Sequence, residues 1–461
     1  MLTVYNPYDG SVIESLPRTT EREAFDALEA AHELFLDRAA WLRPHQRMAI
    51  LERAAAIIDE RAEDLAVAAA REGGKPLADS RVEIARAREG MRIAARELAS
   101  LGGGEVPMGL TPASDGRLAM TVREPRGVVM AIAAFNHPFN LIVHQVAPAF
   151  ASGCPVLVKP ASATPLSCRN LLDILHEAGM PRGWARMVLC ENTVTEKLVA
   201  DPRVAFLTFI GSSAVGWRLR SMLPPGAGCA LEHGGAAPVI MEADADLSLA
   251  MPGLTKGGFY HAGQVCVSVQ RIFAHAIIAR DVAERLAESA QALVVGDPLD
   301  ACTDVGPLIS PREVERVHEW VERAQAQGGK VLCGGGKISD TMYMPTVLFN
   351  PPDDALISTR EIFGPVVAVY PFSTMDEALR RANQTAYSFQ AAVYTRDIDT
   401  ALYAATRLNA TTVMINDHTA FRVDWMPFGG ARDSGQGVGG IGYSMREMTL
   451  EKLLVIKSGA L

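Results

Sequence analysis

Val128-Val129-Met130-Ala131-Ile132-Ala133-Ala134-Phe135-Asn136-His137-Pro138-Phe139-Asn140 is the stretch whose reading decides the fold. Eight apolar residues run without a polar break and then give way to a polar turn. A run that does not alternate suits a strand buried on both faces. Similar short runs follow at 155–158, 187–189, 204–209 and 229–231, with helical patterns between them. Doubly buried strands alternating with helices predict a doubly wound, mostly parallel α/β sheet of the dinucleotide-binding kind. A second α/β region begins near Gly234 and extends to about Asp424.

Upstream of this stretch the chain reads as helices. Thr20 and Glu23 form a capping box, and Phe25, Leu28 and Phe35 follow at helical spacing. A second helix is predicted from Pro44, with Met48, Leu51 and Ile58 turned inward, and a third stops at Gly73-Gly74. A fourth is predicted over about 80–100, before Gly102-Gly103-Gly104. Residues 107–125, where Leu118, Met120 and Val122 alternate, read as a projecting hairpin, with a strand at 452–458 pairing near it. So apolar a hairpin invites aggregation unless it is covered, which predicts a homodimer or a homotetramer built as a dimer of dimers.

The 461 residues allow two or three domains, and a content of 49% hydrophobic and 21% charged residues excludes disorder. Forty-four basic against 53 acidic residues give a net charge of −9 with no polybasic run, so neither nucleic acid nor an anionic membrane is an expected partner. The seven cysteines stand singly, in no CxxC or Cys/His cluster, and no metal site is expected. Unpaired cysteines, no signal-peptide pattern at the start and no long apolar run together predict a cytoplasmic protein.

The signature GxGxxG does not follow the expected strand at 204–209. After the run at 204–209 comes Ile210-Gly211-Ser212-Ser213-Ala214-Val215-Gly216, two glycines five apart, which can still seat a pyrophosphate on the free amides of a helix start. Further motifs are Phe135-Asn136-His137-Pro138-Phe139-Asn140, Val158-Lys159-Pro160-Ala161-Ser162, Leu231-Glu232-His233-Gly234-Gly235 and Gly263-Gln264-Val265-Cys266. Glu361-Ile362-Phe363-Gly364-Pro365 and Pro427-Phe428-Gly429-Gly430 complete the set. Together, in this order and over nearly the whole chain, they resemble the aldehyde dehydrogenase superfamily. Ala420-Phe421-Arg422-Val423-Asp424 is similar to its lactaldehyde-dehydrogenase-like branch. The resemblance implies two doubly wound α/β domains plus a β-hairpin oligomerisation element. Residues 1–106 and 126–233 would form the NAD(P)-binding domain, 234–447 the catalytic domain, and 107–125 with 448–461 the oligomerisation element.

The chemistry implied is NAD(P)+-dependent oxidation of an aldehyde to the acid. Hydride leaves an aldehyde carbon readily only from a tetrahedral adduct, and a thiolate supplies one. Cys266 is the expected nucleophile. The resemblance gives the oxyanion to the Asn136 amide and the Cys266 backbone N–H, and the water that cleaves the thioester to Glu232. It places Lys159 and Ser162 at the adenosine ribose, Gly211 and Ser212 near the pyrophosphate, and Glu361 at the nicotinamide ribose with Phe363 beside it. Relatives restricted to NAD often carry glutamate where Ser162 stands, so NAD or NADP is expected, with NADP tolerated. Further departures are His233 for leucine, Ala236 for lysine, and Val438-Gly439 for Arg-Glu.

The substrate is expected to be short and polar or anionic. Arg422 either holds an oxyanion or pairs with Asp424, and His137 and Asn140 either face the substrate or start a helix. A cofactor-independent thiol hydrolase, a binding protein that has kept the fold, and coenzyme A acylation are the alternative functions.

Overall fold

The computed structural model describes residues 1–461, arranged as two α/β layers with a small sheet beside them. A six-stranded sheet carries the strands Ala185–Met187, Val156–Lys159, Val128–Ile132, Val204–Ile210, Gly228–Glu232 and Gly435–Gln436, in that spatial order. All neighbours are parallel except the last pair. Chain order reverses between Val128–Ile132 and Val204–Ile210. That reversal opens a crevice beyond the carboxyl ends of the two strands, where open α/β sheets bind their ligands.

Every residue of Val128–Ile132 is buried, because helices cover both faces. One covering helix, Glu21–Leu36, starts at the expected capping box: the Glu23 amide donates to Thr20 Oγ1, and the Thr20 amide to the Glu23 carboxylate. The third helix, Ala62–Gly73, ends on Gly74 at φ 72°, the left-handed cap that glycine adopts without strain. The fourth runs over Leu77–Glu97 rather than 80–100, since Pro76 supplies a ready-made start. The chain returns to this layer at its end, where Ile441, Met445 and Met448 join the same core.

The seven-stranded sheet has Val269–His275 and Ala237–Met241 at its centre, both buried. Its strands are parallel apart from the edge strand Lys330–Cys333. A third sheet sets Arg117–Pro125 against Thr449–Lys457 in a nine-residue antiparallel ladder. The expected second arm shrinks to Glu105–Val106, because Pro107 and Pro112 deny the following residues a continuous ladder.

Candidate active site

The carboxyl edge of the first sheet faces the segments that feed the amino edge of the second, and a cavity of about 640 Å³ lies between them. All twelve site residues named from the sequence border it. Asn136 lies four residues beyond the end of the strand Val128–Ile132. The chain then turns into the helix Asn140–Ser152, with the Leu141 amide donating to the His137 carbonyl at 3.0 Å. The amides of Phe139 and Asn140 both donate to Glu83 Oε1 at 2.9 Å. Glu83 forms a buried ion pair with Lys75, whose ammonium also donates to the Asn136 carbonyl at 3.4 Å. This pair fastens the Asn136 turn to the helix behind it. The sequence carries no signal for it, since a lysine and a glutamate eight residues apart look like surface charge.

Cys266 sits in the turn before Val269–His275. Gln264 anchors that turn: its amide donates to the carbonyls of His261 and Pro307, both at 3.2 Å, and accepts from the Ile309 amide at 2.9 Å. Ahead of it, His261, Ala262 and Gly263 have φ of 51°, 53° and 68°. Left-handed backbone in non-glycine residues costs energy and clusters at functional sites. At 263 glycine is obligatory, because a Cβ would lie 2.1 Å from the Gly364 carbonyl oxygen. The cysteine turn thus rests on the Glu361-Ile362-Phe363-Gly364 loop, where Phe363 also has a positive φ of 44° and meets Phe135 edge-on at 5.8 Å. Asn136 closes the circle, its amide donating to the Gln264 carbonyl at 2.9 Å with a second N–H to spare.

Glu232 ends the strand Gly228–Glu232 and points at Gly439. A Cβ at 439 would lie 2.1 Å from Glu232 Oε1, so the carboxylate itself fills the space a larger residue would need. That gives the Val438-Gly439 departure a physical meaning. His233, the other departure, donates from Nδ1 to the Asp433 carbonyl at 2.9 Å and lies between the rings of Phe209 and Trp217. Nothing in the structure explains Ala236.

Burial pushes the Cys266 thiol up to about 12, with Arg422 pulling it down and the Glu361 and Glu232 carboxylates adding to the rise. Burial raises Glu232 as well, against the pull of Arg422, and lifts Glu361 to about 8 although the Gly235 amide donates to it at 3.2 Å. Thiol and carboxylates share one poorly hydrated site. A carboxylate whose proton affinity is raised by burial is suited to taking a proton from water.

Arg422 enters the same site from the other side, its guanidinium 3.5 Å from the Phe428 ring. Of the two alternatives for Arg422, the ion pair with Asp424 does not form. Asp424 instead takes both arms of Arg86, at 2.6 and 3.1 Å, and His144 Nε2 at 2.7 Å. Burial lowers His144 to about 4, with Arg422 adding to the fall, so the ring is neutral. Its Nε2–H therefore donates to Asp424, and its Nδ1 lone pair faces Arg422 Nη2 at 3.4 Å. Arg422 is left with no carboxylate in ion-pair contact and with Nε unpartnered. His137 joins Tyr260 Oη at 2.8 Å. Arg86, His144 and Tyr260 were not singled out in the sequence, where nothing distinguishes them from other helical residues.

At the far end the helix Ser213–Met222 begins with no side-chain cap on its first amides, beside Gly211 and Ser212. Lys159 lies half-buried there, its ammonium 3.3 Å from Asn192 Oδ1 and its pKa lowered by burial, while Ser162 is exposed at the rim. Open helix-start amides and a partly desolvated cation, both bordering the cavity that also holds Cys266, fit a nicotinamide dinucleotide.

The pattern that defines the aldehyde dehydrogenase family matches residues 1–454. The 3-sulfolactaldehyde dehydrogenase of Priestia aryabhattai is 39% identical over 417 residues, covering 90% of this chain and 86% of that protein. Aldehyde dehydrogenase 21 from Physcomitrella patens, solved with the reaction product succinate, superposes with a TM-score of 0.96 at 35% identity, covering 100% of this chain and 96% of the other. The glyceraldehyde-3-phosphate dehydrogenase of Methanocaldococcus jannaschii, complexed with NADP, gives 0.94 at 36% identity and 99% coverage of both.

Proposed function

Because the chain belongs to the aldehyde dehydrogenase family and is an NAD(P)-dependent oxidoreductase, we propose that it oxidises a short aldehyde with an anionic far end to the corresponding acid. One observation carries the choice of substrate: Arg422 projects a cation into the site of Cys266 and Glu232, while its only acidic neighbour in sequence, Asp424, is committed to Arg86 and His144. A guanidinium without a carboxylate partner is the natural counter-ion for a carboxylate, sulfonate, phosphonate or phosphate. The three relatives described above are in keeping with this, being named for sulfolactaldehyde and glyceraldehyde 3-phosphate or solved with succinate.

In the proposed mechanism the Cys266 thiol gives up its proton to solvent and the thiolate attacks the aldehyde carbon. The free N–H of Asn136 and the Cys266 backbone amide steady the resulting oxyanion; removing one such donor costs about 3 kcal/mol of barrier. Lys159, Ser162, Gly211, Ser212, Glu361 and Phe363 hold the cofactor, and the chemistry it supplies when bound is that of a hydride acceptor. Oxidation leaves a thioester on Cys266, and Glu232 takes a proton from the water that cleaves it. Ser162 presents no negative charge at the rim, which favours acceptance of NADP beside NAD. The seven unpaired cysteines favour a reducing, cytoplasmic setting, and no helix is long and apolar enough to cross a membrane.

Initial rates of NADPH or NADH formation test the substrate class. An aldehyde with a terminal sulfonate or carboxylate is expected to exceed its uncharged isostere in kcat/KM. Arg422→Gln should remove that preference, a loss of roughly ten- to a hundredfold for one charged hydrogen-bond partner. Equal rates for charged and uncharged aldehydes in the unaltered enzyme would contradict the reading.

A further inference from the structure

Asn140 is the first residue of the helix Asn140–Ser152 and borders the catalytic cavity at only 3% exposure. Its backbone amide is used, donating to Glu83. Its side-chain amide hydrogen-bonds to nothing in the protein, and Oδ1 is sealed from solvent. Buried amides are almost always paired, so one left free at the wall of a ligand cavity marks a place where a ligand supplies the partner.

The helix shows which part of a ligand lies there. His144 is one turn beyond Asn140 on the same face, and its Nδ1 meets the Arg422 guanidinium. Asn136, the oxyanion donor of the proposed mechanism, lies four residues before Asn140, at the entrance to the helical turn. Positions 136, 140 and 144 therefore follow one another from the reacting end of the site to its cationic end. The Asn140 amide falls between the two, alongside the carbon that links the aldehyde to the distal anion.

We propose that Asn140 is a specificity-determining residue that reads a hydroxyl group on this linking carbon, so that the preferred substrate class is a short 2-hydroxyaldehyde with a terminal anion. The Asn140 Nδ2–H, which is neither partnered nor sealed, donates to the hydroxyl oxygen. A methylene in the same place leaves the amide unpaired, and a site built to bond a hydroxyl discriminates strongly against an analogue that lacks one. The assignment rests on reading Arg422 as the partner of the anion, and the two are separable by experiment.

Four aldehydes form the test: 3-sulfopropanal and 2-hydroxy-3-sulfopropanal, with propanal and 2-hydroxypropanal as the uncharged pair. Rates are referred to the free aldehyde, because the hydroxylated compounds are more hydrated. The unaltered enzyme should favour each hydroxylated member in kcat/KM by roughly tenfold or more. Asn140→Ala should collapse that ratio toward one and keep the ratio of sulfonated to uncharged substrate; Arg422→Gln should do the reverse. Asn140→Ser, which restores a short hydrogen-bonding group, should recover part of the hydroxyl ratio. The assignment is overturned by a hydroxyl ratio near one in the unaltered enzyme, or by an Asn140→Ala enzyme that slows on all four aldehydes with the ratio intact. A missing sulfonate ratio alongside an intact hydroxyl ratio contradicts the Arg422 reading and the terminal anion, and leaves the Asn140 contact standing.

Discussion

At the scale of single residues the site works through shared desolvation. Burial disfavours the ionised forms of Cys266, Glu232 and Glu361, both carboxylates add to the rise of the thiol, and Arg422 is the cation that opposes the rise at Cys266 and Glu232. With the thiol pushed up to about 12, its thiolate fraction grows tenfold per pH unit through the neutral range. Iodoacetamide labelling of Cys266 in the protein without cofactor should accelerate accordingly between pH 7 and 9. Arg422→Gln removes the cation, raises the thiol further and should slow labelling at every pH in that range. A flat rate across those pH values contradicts the electrostatics described here. The sequence disclosed the residue types through their motifs. It did not disclose that Asp424 turns away from Arg422, because that choice depends on Arg86 and His144, which arrive from 338 and 280 residues away.

At the scale of elements, the start of the helix Asn140–Ser152 is held by an ion pair rather than by a cap of its own. Glu83 accepts the first two free amides, and Lys75 neutralises Glu83 while touching the Asn136 carbonyl. Breaking one half of a buried pair strands a charge and costs about 3–5 kcal/mol. Glu83→Gln should therefore lower the midpoint of chemical denaturation markedly, and Lys75→Met combined with Glu83→Gln should recover part of the loss. If the double variant is the sum of the two singles, the residues are not coupled and the fastening role fails. The strands and helices were legible in the sequence because apolar periodicity and glycine stops report local physics: the capping box at Thr20 and the stop at Gly74 stand where they were read. The arm before Arg117 was not, since whether residues 107–116 join a ladder depends on partners and on two prolines rather than on alternation.

At the scale of the molecule two features stand out. The strand Thr449–Lys457 hydrogen-bonds along one side only, and Leu453, Val455 and Ile456 are each half exposed. A long apolar edge persists in water only when another chain covers it. The protein should scatter light as a homodimer or homotetramer, and Leu453→Lys with Val455→Lys should shift it toward monomer; a monomeric parent protein at micromolar concentration contradicts this. The second feature is that Cys266 sits in the turn leading into the second sheet and Glu232 ends a strand of the first, so the proposed attack and hydrolysis need both layers. Glu232→Gln separates the two steps and supplies the most direct measurement: rapid-mixing formation of NADPH or NADH with an anionic aldehyde, followed by peptide mass spectrometry. The account predicts a burst approaching one equivalent of reduced cofactor per site, slow turnover afterwards and an acyl group on Cys266. Steady turnover at the parent rate, or an acyl group on any other residue, contradicts it.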